Sequence, residues 1–371
     1  MKKFHSHLWL SLALAMIIPL SAGCSFVNRR SVKPSAEISG PWRTFSTRDF
    51  LAGNVVLDSI QTGAGDIYLA TWNGITRFSE DKEGREHWCS FGPADGLPPK
   101  NVTSLAVDSS DVVWAGCGMA GSVNVARLDG DSWSVIDIPS TLTEALIVDM
   151  AFDRKGQLWI ATWGSGVFIF DGANWTHYND ENGLPSNFTI VVTPGEDEVW
   201  IGTKAGTKEG QGACRFHDGR FETFDEHNSG LVDNNIHAIT FQDDYLWFGS
   251  WGGANQVNAF DDLNQIENWN TYELFDNRLP GSFIRVITVN GKQVWFGTDA
   301  GMTVFDSERT WTTFTTTEKR TIVFNHEGMK ASETVVPMAG LASNHIFSLL
   351  IDKQGRLWIG TDQGVSRYTP E

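Results

Sequence analysis

Seven copies of one short phrase recur along the chain: an aromatic residue, one further residue, a Gly or Ala, then usually Thr. They read Tyr68-Leu-Ala-Thr71, Trp114-Ala-Gly-Cys117, Trp159-Ile-Ala-Thr162, Trp200-Ile-Gly-Thr203, Trp247-Phe-Gly-Ser250, Trp295-Phe-Gly-Thr298 and Trp358-Ile-Gly-Thr361. Their separations are 46, 45, 41, 47, 48 and 63 residues. A period in the forties, filled with short strand-like runs and Gly turns, predicts an all-β fold, a β-propeller with one blade per repeat. Such a ring binds on a face made of loops from all its blades. The repeat therefore locates the expected site without naming the ligand.

The third copy shows how one repeat builds one blade. Ile147-Val-Asp-Met-Ala-Phe152, Gln157-Leu-Trp-Ile-Ala-Thr162, Val167-Phe-Ile-Phe170 and Trp175-Thr-His-Tyr178 are apolar or alternating runs, separated by turns such as Asp153-Arg-Lys-Gly156 and Asp171-Gly-Ala-Asn174. Four antiparallel strands joined by hairpins follow. The inner strands are apolar throughout because each blade buries both faces against its neighbours. The repeated aromatic, on the second strand, is expected to fill the gap between blades, and the Gly or Ala two residues on lets the next blade approach.

A second aromatic series, Trp88, Trp133, Trp175, Phe221, Trp269 and Trp311, marks the outer strand of six repeats. The last repeat ends one strand short, at Gly364-Val-Ser-Arg-Tyr-Thr-Pro-Glu371, and the missing copy is Pro41-Trp42-Arg-Thr-Phe45 at the other end. The N-terminal strand is thus expected to complete the last of seven blades, closing the ring without a long open edge.

Residues 1–23 read as a signal peptide: Lys2 and Lys3, an apolar run from Leu8 to Leu20, then Leu20-Ser-Ala-Gly-Cys24. A Cys directly after Ala-Gly resembles the lipobox of bacterial lipoproteins, with Cys24 as the acylated residue, and 24–40 reads as a tether ahead of a propeller over 41–371. The acyl group on Cys24 would be the only membrane attachment, which places the protein in the cell envelope on the periplasmic side of the outer membrane. The chain carries 28 basic and 45 acidic residues, a net charge of −17, and losing Lys2 and Lys3 takes this to −19. That charge argues against nucleic acid as a partner. Cys89, Cys117 and Cys214 form no CxxC or Cys/His spacing, so no metal site is expected. One disulfide is permitted by an oxidising compartment, but the sequence does not select a pair; at least two of the three are expected to be buried apolar side chains.

Loops between strands two and three share a face with the connections between blades, and together they form one rim. On it, directly after the phrase, stand Trp72, Trp163 and Trp251 in blades 1, 3 and 5, with Lys204, Asp299 and Asp362 at the same place in blades 4, 6 and 7. Three aromatics on a rim suit stacking on sugar rings; the alternative is that each Trp packs over its neighbouring blade. The connections share a Gly-Leu-x-x-Asn theme, as in Gly183-Leu-Pro-Ser-Asn187, where Asn is expected to tie the turn to the backbone. Between blades 6 and 7 the connection grows, from Thr315 to Ala339, and an added hairpin is expected to cover part of the central opening. Near the channel mouth the inner strands contribute Asp149, His237, Arg285 and His345. A His with a carboxylate suits acid–base work, and polar lining of a solvated channel is the competing reading. No recognised catalytic string occurs, and no cofactor is implied.

The run Asp352-Lys-Gln-Gly-Arg-Leu-Trp-Ile-Gly-Thr-Asp-Gln-Gly-Val-Ser-Arg-Tyr368, with the connection Asn182-Gly-Leu-Pro-Ser-Asn187, resembles the two-component regulator propeller repeat across 41–371. The resemblance implies periplasmic sensor propellers associated with polysaccharide sensing. The fold also resembles streptogramin lyase-like propellers, although no matching catalytic residues occur. Three functions follow as expectations: an envelope lipoprotein binding an oligosaccharide or protein partner on its rim; a propeller lyase or hydrolase using acidic and His residues at the channel mouth; and an assembly scaffold. Convergence of Asp149, His237, Arg285 and His345 in one pocket is what the enzyme reading requires.

Overall fold

The computed structural model describes residues 40–370 apart from 99–100, 205–210, 274–277, 307–308 and 326–327, together with the backbone of Arg30–Val32. Cys24 and the expected signal peptide lie outside the described residues. Seven antiparallel sheets follow one another along the chain as seven blades. Blade 3 is typical, with strands Leu146–Phe152, Leu158–Trp163, Gly166–Phe170 and Trp175–Tyr178 in spatial order from the axis outward.

Blade 7 combines Ile346–Ile351, Leu357–Thr361 and Val365–Tyr368 with the N-terminal strand Trp42–Phe45, in register Trp42↔Tyr368 to Phe45↔Val365. The two ends of the described propeller therefore close the ring, as the orphan aromatic strand predicted. Two blades exceed four strands. Arg30–Val32, inside the segment expected to be a tether, pairs antiparallel to Glu86–Phe91 as a fifth strand of blade 1. In blade 6 the added hairpin, Glu318–Phe324 and Lys330–Pro337, pairs outside Thr310–Phe314 and makes a six-stranded sheet. This corrects the expectation that it covers the opening: the Thr-rich outer strand offers its unpaired edge, and the hairpin continues the sheet away from the axis.

The repeat's chemistry explains its packing. Trp159, Trp200, Trp247 and Trp358 are among the largest fully buried side chains. Five anchors also satisfy the indole N–H, donating to Asp108 Oδ2 (3.0 Å), Asp153 Oδ2 (2.9 Å), Glu198 Oε1 (2.7 Å), Gln242 Oε1 (2.9 Å) and Asp352 Oδ2 (2.8 Å) of the preceding hairpin. The small residue admits the next blade: a Cβ on Gly249 would lie 2.5 Å from Ile284 Cγ2, and one on Gly297 would lie 2.6 Å from Ile346 Cγ2. On the rim face, each Gly-Leu connection buries its Leu (Leu97, Leu184, Leu231, Leu341). Asn187 Oδ1 accepts the Asp180 N–H (2.9 Å) and Asn344 Oδ1 the Thr316 N–H (2.8 Å). In the connection to blade 5 the neighbouring Asn234 does this, accepting from Glu226 N–H at 2.9 Å.

Candidate functional site

Every inner strand carries a bulge at the same place. Register against the second strand slips at Leu57, Thr103, Val148, Ile190, His237, Arg285 and Phe347, one residue per blade. A bulge leaves its extra residue unpaired and re-aims its side chain. Here all seven line a central cavity of about 280 Å³. The ring is lopsided: blades 1, 3 and 4 contribute aliphatic residues, blade 2 Thr, and blades 5, 6 and 7 His, Arg and Phe.

From that ring to the loops beside it, aromatic and nitrogen-bearing side chains alternate in one arc from blade 3 to blade 7. Trp163 packs edge-on against Phe188, their ring centres 5.4 Å apart. The Lys204 ammonium lies 5.0 Å from the centre of the Trp163 ring and 4.5 Å from that of Trp251. The His237 ring lies parallel to Trp251 at 6.2 Å and edge-on to Phe283 at 4.5 Å. The Arg285 guanidinium is 4.1 Å from the Phe283 ring and 5.2 Å from that of Phe347. Each cation thus sits within cation–π range of two rings. Trp163 and Trp251 nevertheless remain 40% and 44% exposed.

Burial, with Lys204 and Arg285 nearby, pushes the His237 imidazole down to about 3, so it is neutral. Burial and then Arg285 lower Lys204 from its usual value. Burial also lowers Arg285, opposed by the charge of the exposed Asp299. His237 Nε2 and Arg285 Nε are buried with no hydrogen-bond partner among the described residues.

The remaining predicted residues separate from this arc. Trp72, 54% exposed, makes no ring contact with it among the described residues. The three tryptophans are therefore a pair bridged by Lys204 and a single ring in blade 1. His345 departs from the expected channel position: it is exposed, and its Nδ1 faces Asp362 Oδ2 at 3.3 Å across the rim of blade 7. Asp362 Oδ1 is buried without a partner among the described residues.

Asp149 does line the cavity, as does Asp58, which sequence reasoning passed over. Both follow the bulge residue and tie neighbouring blades together. Asp58 Oδ2 accepts from Leu105 N–H at 2.7 Å and Asp149 Oδ2 from Val192 N–H at 2.9 Å. Ser104 Oγ lies 3.3 Å from Asp58 Oδ2 and 3.4 Å from Asp149 Oδ1. Burial, then the charge of Asp58, pushes Asp149 up to about 7, and burial raises Asp58 in the same sense. Among the described residues His237 has no carboxylate within 4.0 Å. Three of the four residues named for acid–base work thus share a cavity, but His345 stands apart and Asp149 is committed to backbone amides. Cys117 and Cys214 are buried free thiols, with burial pushing Cys117 up to about 12 and Cys214 higher still. Among the described residues no group of side chains suits a metal ion and no helix is long and apolar enough to cross a membrane.

These features define a seven-bladed β-propeller with a polar–aromatic channel mouth on its loop rim. The chain carries the two-component regulator propeller repeat, whose family model matches residues 340–363. It is 24% identical over 220 residues, 54% of this chain, to histidine kinase P4 of Formosa agariphila, and spans only 14% of that protein's length. The extracellular domain of a hybrid two-component system from B. thetaiotaomicron superposes with a TM-score of 0.62 at 17% identity, covering 92% of this chain and 44% of that one. Streptogramin B lyase shares the fold with a TM-score of 0.62 at 13% identity, covering 88% of this chain and 97% of the other.

Proposed function

We propose that the protein is a non-enzymatic, ligand-binding propeller of the bacterial cell envelope that takes an oligosaccharide, or a segment of an envelope protein, on its loop rim in a sensing or scaffolding role. The observation that carries this reading is the pair of exposed indoles, Trp163 and Trp251, held at a fixed spacing by the Lys204 ammonium between them. Rigid, half-exposed aromatic faces beside fixed polar groups are what a sugar ring or a flat side chain stacks on. The fold shared with the extracellular domain of a hybrid two-component system is compatible with the same class of role. Envelope placement through an acyl group on Cys24 belongs to this proposal. Metabolic labelling with palmitate, lost in Cys24→Ser, tests it.

The lyase or hydrolase alternative gains no support from the site, because the cavity holds no His–carboxylate pair among the described residues. Glycan-array binding of the full chain and of Trp72→Ala, Trp163→Ala and Trp251→Ala tests the rim. Loss of about tenfold or more in affinity is expected for Trp163→Ala and Trp251→Ala. Unchanged binding in all three variants overturns the assignment.

A further inference from the structure

The arc on the rim carries more than aromatic surface. In a chain of net charge −17, Lys204 and Arg285 stand beside one channel mouth, and neither has a carboxylate within 4.0 Å among the described residues. Each is instead held against two ring faces, which keeps water and counter-ions from its flanks while leaving its N–H groups unspent. Arg285 Nε is buried and unpartnered, and so is Nε2 of the His237 ring, which interacts electrostatically with both cations. Buried polar nitrogens of this kind normally have a partner. The exposed Asp299, beyond 4.0 Å, offsets Arg285 in part, while Lys204 is still disfavoured by Arg285, and an added anion relieves that repulsion.

We infer that Lys204 and Arg285 recognise the anionic group, carboxylate or sulfate, of an acidic sugar whose ring stacks on Trp251. This rests on the reading that the rim binds a ligand, and it names the ligand's class. Guanidinium and ammonium donors form their strongest hydrogen bonds with carboxylate and sulfate-type oxygens. Of the proposed site, Arg285 and His237 also line the central cavity of about 280 Å³, so the anionic group would sit where the rim meets the channel. A long polyanion such as nucleic acid is disfavoured by the chain's net charge of −17. The carboxylates deeper in the cavity, Asp58 and Asp149, are occupied by backbone amides, and Asp299 on the rim is exposed.

Isothermal titration of the full chain tests this with two matched pairs: oligogalacturonate against its carboxyl-reduced form, and a sulfated galactan oligomer against its desulfated form. At least one acidic member is expected to bind about tenfold or more tighter than its neutral partner, with an affinity that falls as salt rises. Lys204→Gln and Arg285→Gln are each expected to remove that preference while neutral binding persists; Trp251→Ala weakens both members. Melting curves confirm that the variants fold, and Lys204→Gln alone suffices if Arg285→Gln does not. Equal affinity for acidic and neutral members, unaffected by either cation variant, overturns the inference while leaving the rim reading intact. Binding of peptides ending in a free carboxylate, with no glycan bound, overturns it in favour of a protein ligand. No binding of either class at the rim removes the underlying reading as well.

Discussion

Trp358 donates its indole N–H to Asp352 Oδ2 at 2.8 Å, six residues back across the first hairpin of blade 7. The same carboxylate accepts from Arg356 Nε at 2.6 Å, while its other oxygen takes the backbone N–H groups of Gln354 (3.0 Å) and Arg356 (2.8 Å). One side chain therefore shapes the turn and seats the anchor ring. Asp352→Ala strands a buried indole N–H and frees the turn, and a loss of about 2–3 kcal/mol is expected. Urea denaturation measures it, and a loss under about 0.5 kcal/mol would show that the bond does not hold the ring.

The two classes of tryptophan are expected to respond oppositely to truncation. Trp358 is fully buried, so Trp358→Ala should cost about 3–5 kcal/mol. Trp163 keeps 40% of its surface in solvent, and Trp163→Ala should cost under about 1 kcal/mol while reducing ligand binding. Melting and binding measured on the same two variants separate the roles. Equal destabilisation would make Trp163 a packing residue.

The ring was legible in the sequence because its strongest signals are periodic and local: seven anchors, a Gly or Ala after each, and an outer aromatic missing from one end and present at the other. Trp163, Trp251 and Lys204 were legible as loop residues that differ between copies. What escaped was the bulge. It adds one residue to each inner strand without altering the apolar pattern, so His237 and Arg285 stood out by chemistry while Phe347, at the equivalent position, carries no such signal. Phe283 and Phe188 lie just ahead of their strands, where no repeat position marks them. Asp58 was passed over although it holds the place after the bulge that Asp149 holds in blade 3, and its partner Leu105 N–H on the next blade leaves no local spacing. His345 was misplaced because it lies two residues before the bulge, just ahead of the strand, where its side chain turns outward to Asp362.

Closure of the ring depends on a tight approach at Gly340. Its φ is +133°, and a Cβ there would lie 2.4 Å from Trp42 Cβ. Gly340→Ala is therefore strained in its backbone and clashes with the closing strand. A loss of about 2 kcal/mol or more is expected, together with faster proteolysis between Gly40 and Phe45. Wild-type stability and cleavage rate in this variant would mean that the closing strand is not needed to hold the ring.

The cavity's titrating groups are expected to oppose one another. Asp149 is pushed up to about 7 in the folded protein from an ordinary 3.8. The folded state therefore binds more protons at this site between those values, and the contribution to stability, complete below about 4, is lost as pH rises through 7. His237 is pushed down to about 3 from 6.5. Its contribution is complete above 6.5 and is lost as pH falls through 3. Between about 4 and 6.5 the two slopes cancel in part, so the wild-type profile is shallower than either alone. Subtracting the profile of Asp149→Asn from that of wild type should leave a curve that declines with rising pH, and subtracting that of His237→Leu should leave one that climbs. Denaturation at half-unit steps from pH 3.5 to 8 resolves both curves. Two flat difference curves would mean that neither group titrates differently in the folded and unfolded chain.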